Sequence, residues 1–325
     1  MALFSRKKTK AVVVGLDGMP HALLTKLMAD GVMPRMAEIT RQGNLRQMEV
    51  TVPEISAVSW PSFMTGADPG THGIFGFTEL IPGSYDMTFP CYNDLKSPPI
   101  WDTLEKMGKR SVVLNQPGTY PARRLSGAMV SGFVAIELFK SVFPAKYIGK
   151  LRRMNYEIDV DTSRSRANHN FAMQDLERTL AGRKEATQML WNDEDWDFFE
   201  VVVTGTDRLH HYLWAAMEDP SHELYPKIMD YYREVDAFVG DLADQYVKIT
   251  KDDTLSGFFM LSDHGFCRLE KEVALTRFLV EKGLMSFDAD TPGELGQISE
   301  SSKVFILDPN RIYVHRKGLY PKGQV

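Results

Sequence analysis

Three short apolar runs end in acidic residues. Asp17 closes "KAVVVGLDG" (residues 10–18), Asp207 closes "DFFEVVVTGTD" (197–207), and Asp263 with His264 closes "GFFMLSDHG" (257–265). The runs are rich in β-branched or aromatic residues and have Gly near their ends, which predicts buried strands. Ligand sites in open α/β sheets lie just past the carboxyl ends of the strands, so these side chains are expected to converge on one edge. Converging carboxylates repel each other, and burial makes the repulsion worse. A divalent cation removes the conflict, and Asp and His donors suit zinc, or manganese less tightly. In "TDRLHHYLW" His211 follows Asp207 by four residues. If Asp207 opens a helix, the two share a face and could grip one metal, with His210 turned away. Taken singly, each residue has a plainer explanation: an Asp after a strand is commonly a cap, and a lone His a hydrogen-bonded core residue. The joint pattern favours a metal site.

A second stretch bears on the same chemistry. "PEISAVSWPSFMTGADPGTHGIFGF" (53–77) crowds Ser56, Ser59, Ser62 and Thr65 around Pro61 and Gly66. It is either a surface loop rich in turn formers or a nucleophile seated at a helix start and aimed at a phosphate.

The elements that must position these residues follow from the same patterning. "KRSVVLNQPG" (109–118) predicts a fourth strand. "PHALLTKLMADG" after the first strand predicts a helix, as does "PPIWDTLEKMGK", which starts after proline and ends at Gly108. Leu224, Ile228, Tyr231, Val235, Phe238, Leu242 and Tyr246 recur at steps of three and four, the stripe of an amphipathic helix. Alternating strands and helices predict an α/β fold with a mostly parallel central sheet sandwiched by helices. Residues 120–170 show no clear period before a helix resumes in "FAMQDLERTLAGRKEATQMLW", and 120–190 is taken as an inserted cap or specificity region.

Composition sets the limits. The chain has 325 residues, 43% hydrophobic and 25% charged, ordinary for a globular protein, and its net charge of −5 gives no field favouring nucleic acid. Cys91 and Cys267 supply neither a disulfide framework nor cysteine-based zinc spacing, and they fit a reducing compartment. No run approaches the roughly 20 apolar residues of a membrane span. The basic start "MALFSRKKTK" lacks the apolar region of a signal peptide, so a cytoplasmic location is expected.

"GLDG", "SWPSFMTGADPGTHGI", "TDRLHH" and "SDHGF" together resemble the alkaline phosphatase superfamily, and within it the type I phosphodiesterase and nucleotide pyrophosphatase family. The resemblance runs from about Lys10 to Val325. It implies a single alkaline-phosphatase-like domain over 1–325, two divalent metal ions, and a Ser or Thr nucleophile. By motif, Asp17, Asp263 and His264 resemble the ligands of one metal, with Ser59 bound to it as nucleophile. Asp207 and His211 resemble two of three protein ligands of the second. Ser59 would then lie at a helix N-terminus, with Pro61 in the first turn, while Ser56, Ser62 and Thr65 are taken as local hydrogen bonders. The family's last metal-binding histidine comes from a segment near its C-terminus that the chain is expected to lack; His315 and His72 are weak substitutes. Phe77 stands in the neighbourhood where some nucleotide pyrophosphatases carry an Asn.

The function implied is metal-dependent hydrolysis of a small-molecule phosphoester, a phosphodiester first, through a phosphoseryl intermediate. One alternative is a metal-binding or partner-binding fragment without turnover. Another is a sulfatase or phosphomutase of the same superfamily, although "SWPSF" places Phe63 where a sulfatase needs Arg.

Overall fold

The structure is a computed structural model that describes residues 9–288, 295–308 and 311–325. It divides the chain into two compact units, residues 1–73 with 91–268, and residues 74–90 with 269–325. The second unit is discontinuous, which is why no composition shift along the chain announces it.

The first unit is the α/β sandwich. Its sheet holds β1 (Ala11–Leu16), β2 (Ser111–Leu114), β3 (Gly127–Val130), β4 (Val142–Phe143), β5 (Phe198–Val203) and β6 (Phe258–Leu261). The order is β4-β3-β2-β5-β1-β6, and all neighbours are parallel except β4, which runs antiparallel to β3. The four strands expected from sequence are β1, β2, β5 and β6.

Strand residues alternate between two apolar layers. Val12, Val14, Leu16, Val201 and Val203 join the larger core. It is covered by α1 (His21–Ala29) and several later helices. Val113 and Met129 join a smaller cluster on the other face with Met64 of α2 (Ser56–Thr65) and Trp101 of α3 (Ile100–Lys106). A parallel sheet covered on both faces accounts for near-continuous apolar strands rather than alternating ones.

Next come α4 (Thr162–Ala167), α5 (His169–Asp193), α6 (Gly205–Glu218) and α7 (Tyr225–Thr250). All seven stripe residues from Leu224 to Tyr246 are buried. At about 1.5–3 kcal/mol for each fully buried aliphatic or aromatic side chain, that stripe rather than propensity holds α7 in place.

The expectation that 120–190 is an insertion over the sheet is corrected. The region supplies β3 and β4 to the sheet itself, and α5 contributes Leu176, Leu180, Ala186 and Leu190 to the larger core. Strands of four and two residues are too short to show a period. Gly127 marks the close approach: its φ is +133°, and a Cβ there would fall 1.9 Å from the Ser111 carbonyl oxygen.

The second unit pairs Val304–Asp308 antiparallel with Arg311–Val314, and Glu79–Leu80 with Met87–Thr88. Leu80, Leu279, Met285, Ile298 and Phe305 form its core.

Candidate metal centre

Register brings the acidic residues together. Leu16 pairs with Val203, and Gly15 with Leu261, so β1, β5 and β6 end level. Asp17 extends the ladder by one step, its N–H donating to the Val203 carbonyl at 3.1 Å. Gly18 then turns with φ +62°, and its N–H donates to Asp263 Oδ1 at 3.1 Å. A Cβ at Gly18 would lie 2.8 Å from Asp207 Oδ1. Glycine is what allows Asp207, at the start of α6, to come this close.

Asp17, Asp207 and Asp263 are all buried. One donor atom each from Asp17, Asp263 and His264 lies within 4.8 Å of the others. His264 Nε2 stands 3.5 Å from Asp263 Oδ2, 3.7 Å from Asp17 Oδ1 and 3.8 Å from Asp207 Oδ1. Asp207 Oδ1 also faces His211 Nε2 at 3.5 Å. A tetrahedral site with arms of about 2.1 Å has ligand–ligand edges of about 3.4 Å, so these separations suit a bound cation with little movement. His264 Nδ1 meets the Gly265 carbonyl at 2.6 Å, which fixes the proton there and leaves the Nε2 lone pair facing the cluster.

Two oxygens make the stronger test. Asp207 Oδ1 and Asp263 Oδ2 are buried without a hydrogen-bond partner. An orphaned carboxylate oxygen costs too much to be kept without a counter-charge. Burial, then the neighbouring Asp263 and Asp207, push the Asp17 carboxyl well above the usual range. Burial likewise raises Asp263 and lowers His211. Each direction discourages the ionic form that burial disfavours, and a divalent cation reverses the balance for the carboxylates. The donor set of Asp17, Asp263 and His264 fits a divalent cation, and Asp207 and His211 face each other beside it.

The structure places a different serine from Ser59 beside these groups. The hydroxyl among these groups belongs to Ser56: its Oγ donates to Asp17 Oδ1 at 3.1 Å and lies 2.9 Å from His264 Nε2. Ser59 Oγ instead pairs with Thr51 Oγ1 at 2.9 Å. The reason lies in where α2 begins. Ser56 is its first residue, and Pro61 sits inside the helix rather than in its first turn. Trp60, one turn along, donates from Nε1 to Asp17 Oδ2 at 3.2 Å, so α2 holds both oxygens of Asp17.

Other histidines are accounted for. His210 turns into the core, bonding the Gly18 carbonyl (2.9 Å) and the Tyr232 hydroxyl (2.8 Å); burial lowers it to about 3, so it is neutral. It steadies the Gly18 turn, a role its sequence position did not announce. His72 Nε2 meets Ser62 Oγ at 2.9 Å. In the second unit, both ring nitrogens of His315 are engaged, by the Tyr85 hydroxyl (2.5 Å) and the Ser302 carbonyl (2.9 Å).

The family model for type I phosphodiesterase / nucleotide pyrophosphatase matches residues 11–318. The chain therefore belongs to this family. Similar solved structures include phosphonoacetate hydrolase from Sinorhizobium meliloti 1021 in complex with phosphonoacetate. It is 16% identical with a TM-score of 0.56, over 93% of this chain and 66% of that one. The same enzyme with phosphonoformate gives 17% and 0.55, over 85% and 62%. The alkaline phosphatase PafA gives 14% and 0.50, over 86% and 66%. At these identities the likeness is one of fold. The chain spans 62–66% of the length of these structures. No curated protein matches it. Among the described residues no helix is long and apolar enough to cross a membrane.

Proposed function

We propose that the chain is a metal-dependent hydrolase of small phosphodiesters that works through a phosphoserine on Ser56. The observation that carries this reading is Ser56 Oγ, within 3.1 Å of both Asp17 and His264 at the first residue of a helix. Family membership supports the reaction class. The phosphonoacetate bound by a similar enzyme supports a small phosphorus-centred anion as substrate.

Asp17, Asp263 and His264 would hold one divalent cation, and Asp207 with His211 the other; zinc is the first choice and manganese the second. Bound there, such cations polarise phosphoryl oxygens and make a neighbouring hydroxyl or water a better nucleophile. The protein's own part is positional. Asp17 and His264 place Ser56 Oγ beside the cation they would hold, and that charge would lower the hydroxyl's pKa so that its proton passes to solvent as the O–P bond forms. The first-turn N–H groups and dipole of α2 face the phosphoryl anion. Oγ attacks phosphorus in line, the P–O bond to the leaving group breaks and the released alkoxide takes a proton from solvent; water then attacks phosphoserine, the P–Oγ bond breaks, and one of the water's protons passes to Oγ. A cytoplasmic location remains part of this reading, resting on Cys91 and Cys267 as free thiols.

Demetallated protein is expected not to cleave bis(4-nitrophenyl) phosphate, and zinc or manganese should restore turnover. Asp263→Asn tests the metal arm separately. Removing the charge while keeping an acceptor for Gly18 should drop the tightly held metal by at least about tenfold in affinity, read by elemental analysis after gel filtration. Full metal content in a folded Asp263→Asn protein would refute the assignment.

A further inference from the structure

The structure assigns Arg208 and Asp159 a positioning role toward the second metal position, and this rests on the metal reading above. Arg208 lies next to Asp207 in α6 and is 8% exposed, too buried to serve as a free surface cation. Its Nη1 donates to Asp207 Oδ2 at 3.2 Å. The head group is itself fixed: Nε and Nη2 both donate to Asp159 Oδ2, at 3.0 and 2.6 Å, and the Phe133 ring lies 4.1 Å away. A planar guanidinium held on one edge by a carboxylate presents its remaining N–H donors in fixed directions.

The consequence falls on Asp207. With Oδ2 held by Arg208, the carboxylate plane is set and the free Oδ1 faces His211 and His264. Gly18 closes the opposite side, where a Cβ would come within 2.8 Å of the same oxygen. Asp159 reaches this position from a stretch 49 residues away, between β4 and α4. The Asp159–Arg208–Asp207 chain thus ties the aperiodic 120–170 region to a metal ligand. Without it the guanidinium is free to collapse onto Oδ1 and compete with the cation for that oxygen.

The test is zinc titration of demetallated protein by calorimetry, with cobalt absorption as a second readout. Arg208→Met should weaken the second metal equivalent by roughly 10–100-fold and leave the first unchanged. Asp159→Asn should act in the same direction, and the Asp159→Asn/Arg208→Met double variant should be no worse than Arg208→Met alone, because both act through one contact. Arg208→Lys should not restore affinity, since an ammonium cannot span Asp159 and Asp207 in one plane. At saturating zinc, kcat should recover with KM unchanged, which a substrate-contacting arginine would not allow. If Arg208→Met does not fold, Asp159→Asn and the charge-balanced double variant carry the test. Unchanged zinc affinity in these folded variants, or additive penalties, overturns the positioning role. His211→Ala separates the two claims: if it still binds two equivalents at full affinity, the second position itself is misplaced and the inference falls with it.

Discussion

Ser56→Ala is expected to lower phosphodiester turnover by on the order of a thousandfold or more, and to abolish trapping of phosphoserine. Ser59→Ala is expected to stay within a few-fold of the parent rate. The two serines sit three residues apart on α2, and only their surroundings separate them. Ser56 Oγ has Asp17 and His264 as neighbours, the side chains that would hold the activating cation. Ser59 Oγ has Thr51, a neutral hydroxyl that activates nothing. Losing the Ser59–Thr51 bond should cost about 1 kcal/mol of stability and leave chemistry intact. Peptide mapping after acid quench distinguishes the outcomes directly. Phosphate on Ser59, or a Ser59→Ala variant slower than Ser56→Ala, would return the nucleophile to the residue expected from the motif.

That contrast shows where sequence suffices. Asp17, Asp207 and Asp263 were legible because parallel strands deliver their last residues to one edge, and β1, β5 and β6 end level. His211 followed from helical spacing, and the α7 stripe from its period. Ser56 was not legible because the preference for Pro in a first turn moved the expected helix start by about one turn. In the structure Ile55 is extended and α2 begins at once, with Pro61 tolerated five residues in. Asp159 was out of reach for another reason. Its partner Arg208 is 49 residues away, and nothing periodic lies between Tyr120 and α5. The division into two units was equally hidden, since residues 74–90 join 269–325 only in three dimensions.

The first unit should grow less stable from about pH 4.5 to about pH 8 through one residue, Glu200. It sits in the middle of β5, in register with Val13 of β1 and Val113 of β2, and side chains in register share a face. That face carries Val113 into the apolar cluster with Met64, Trp101 and Met129. Glu200 is fully buried, and both carboxyl oxygens lack a hydrogen-bond partner. Burial pushes its pKa up to about 8. The native state therefore keeps the proton at pH values where the unfolded chain has already released it. Stability from this group is fully present below the unfolded value and declines as pH rises, levelling off above the folded one; over the whole window the loss is on the order of 3–5 kcal/mol. Glu200→Gln keeps the shape and removes the titration. It should match the parent near pH 4 and exceed it by that amount near pH 8.5. Urea unfolding followed by tryptophan fluorescence reads the right unit, because all five tryptophans, Trp60, Trp101, Trp191, Trp196 and Trp214, lie in residues 1–73 and 91–268. Parallel stability–pH curves for parent and variant would mean that Glu200 is ionised and paired in the folded protein, and that its raised pKa is wrong.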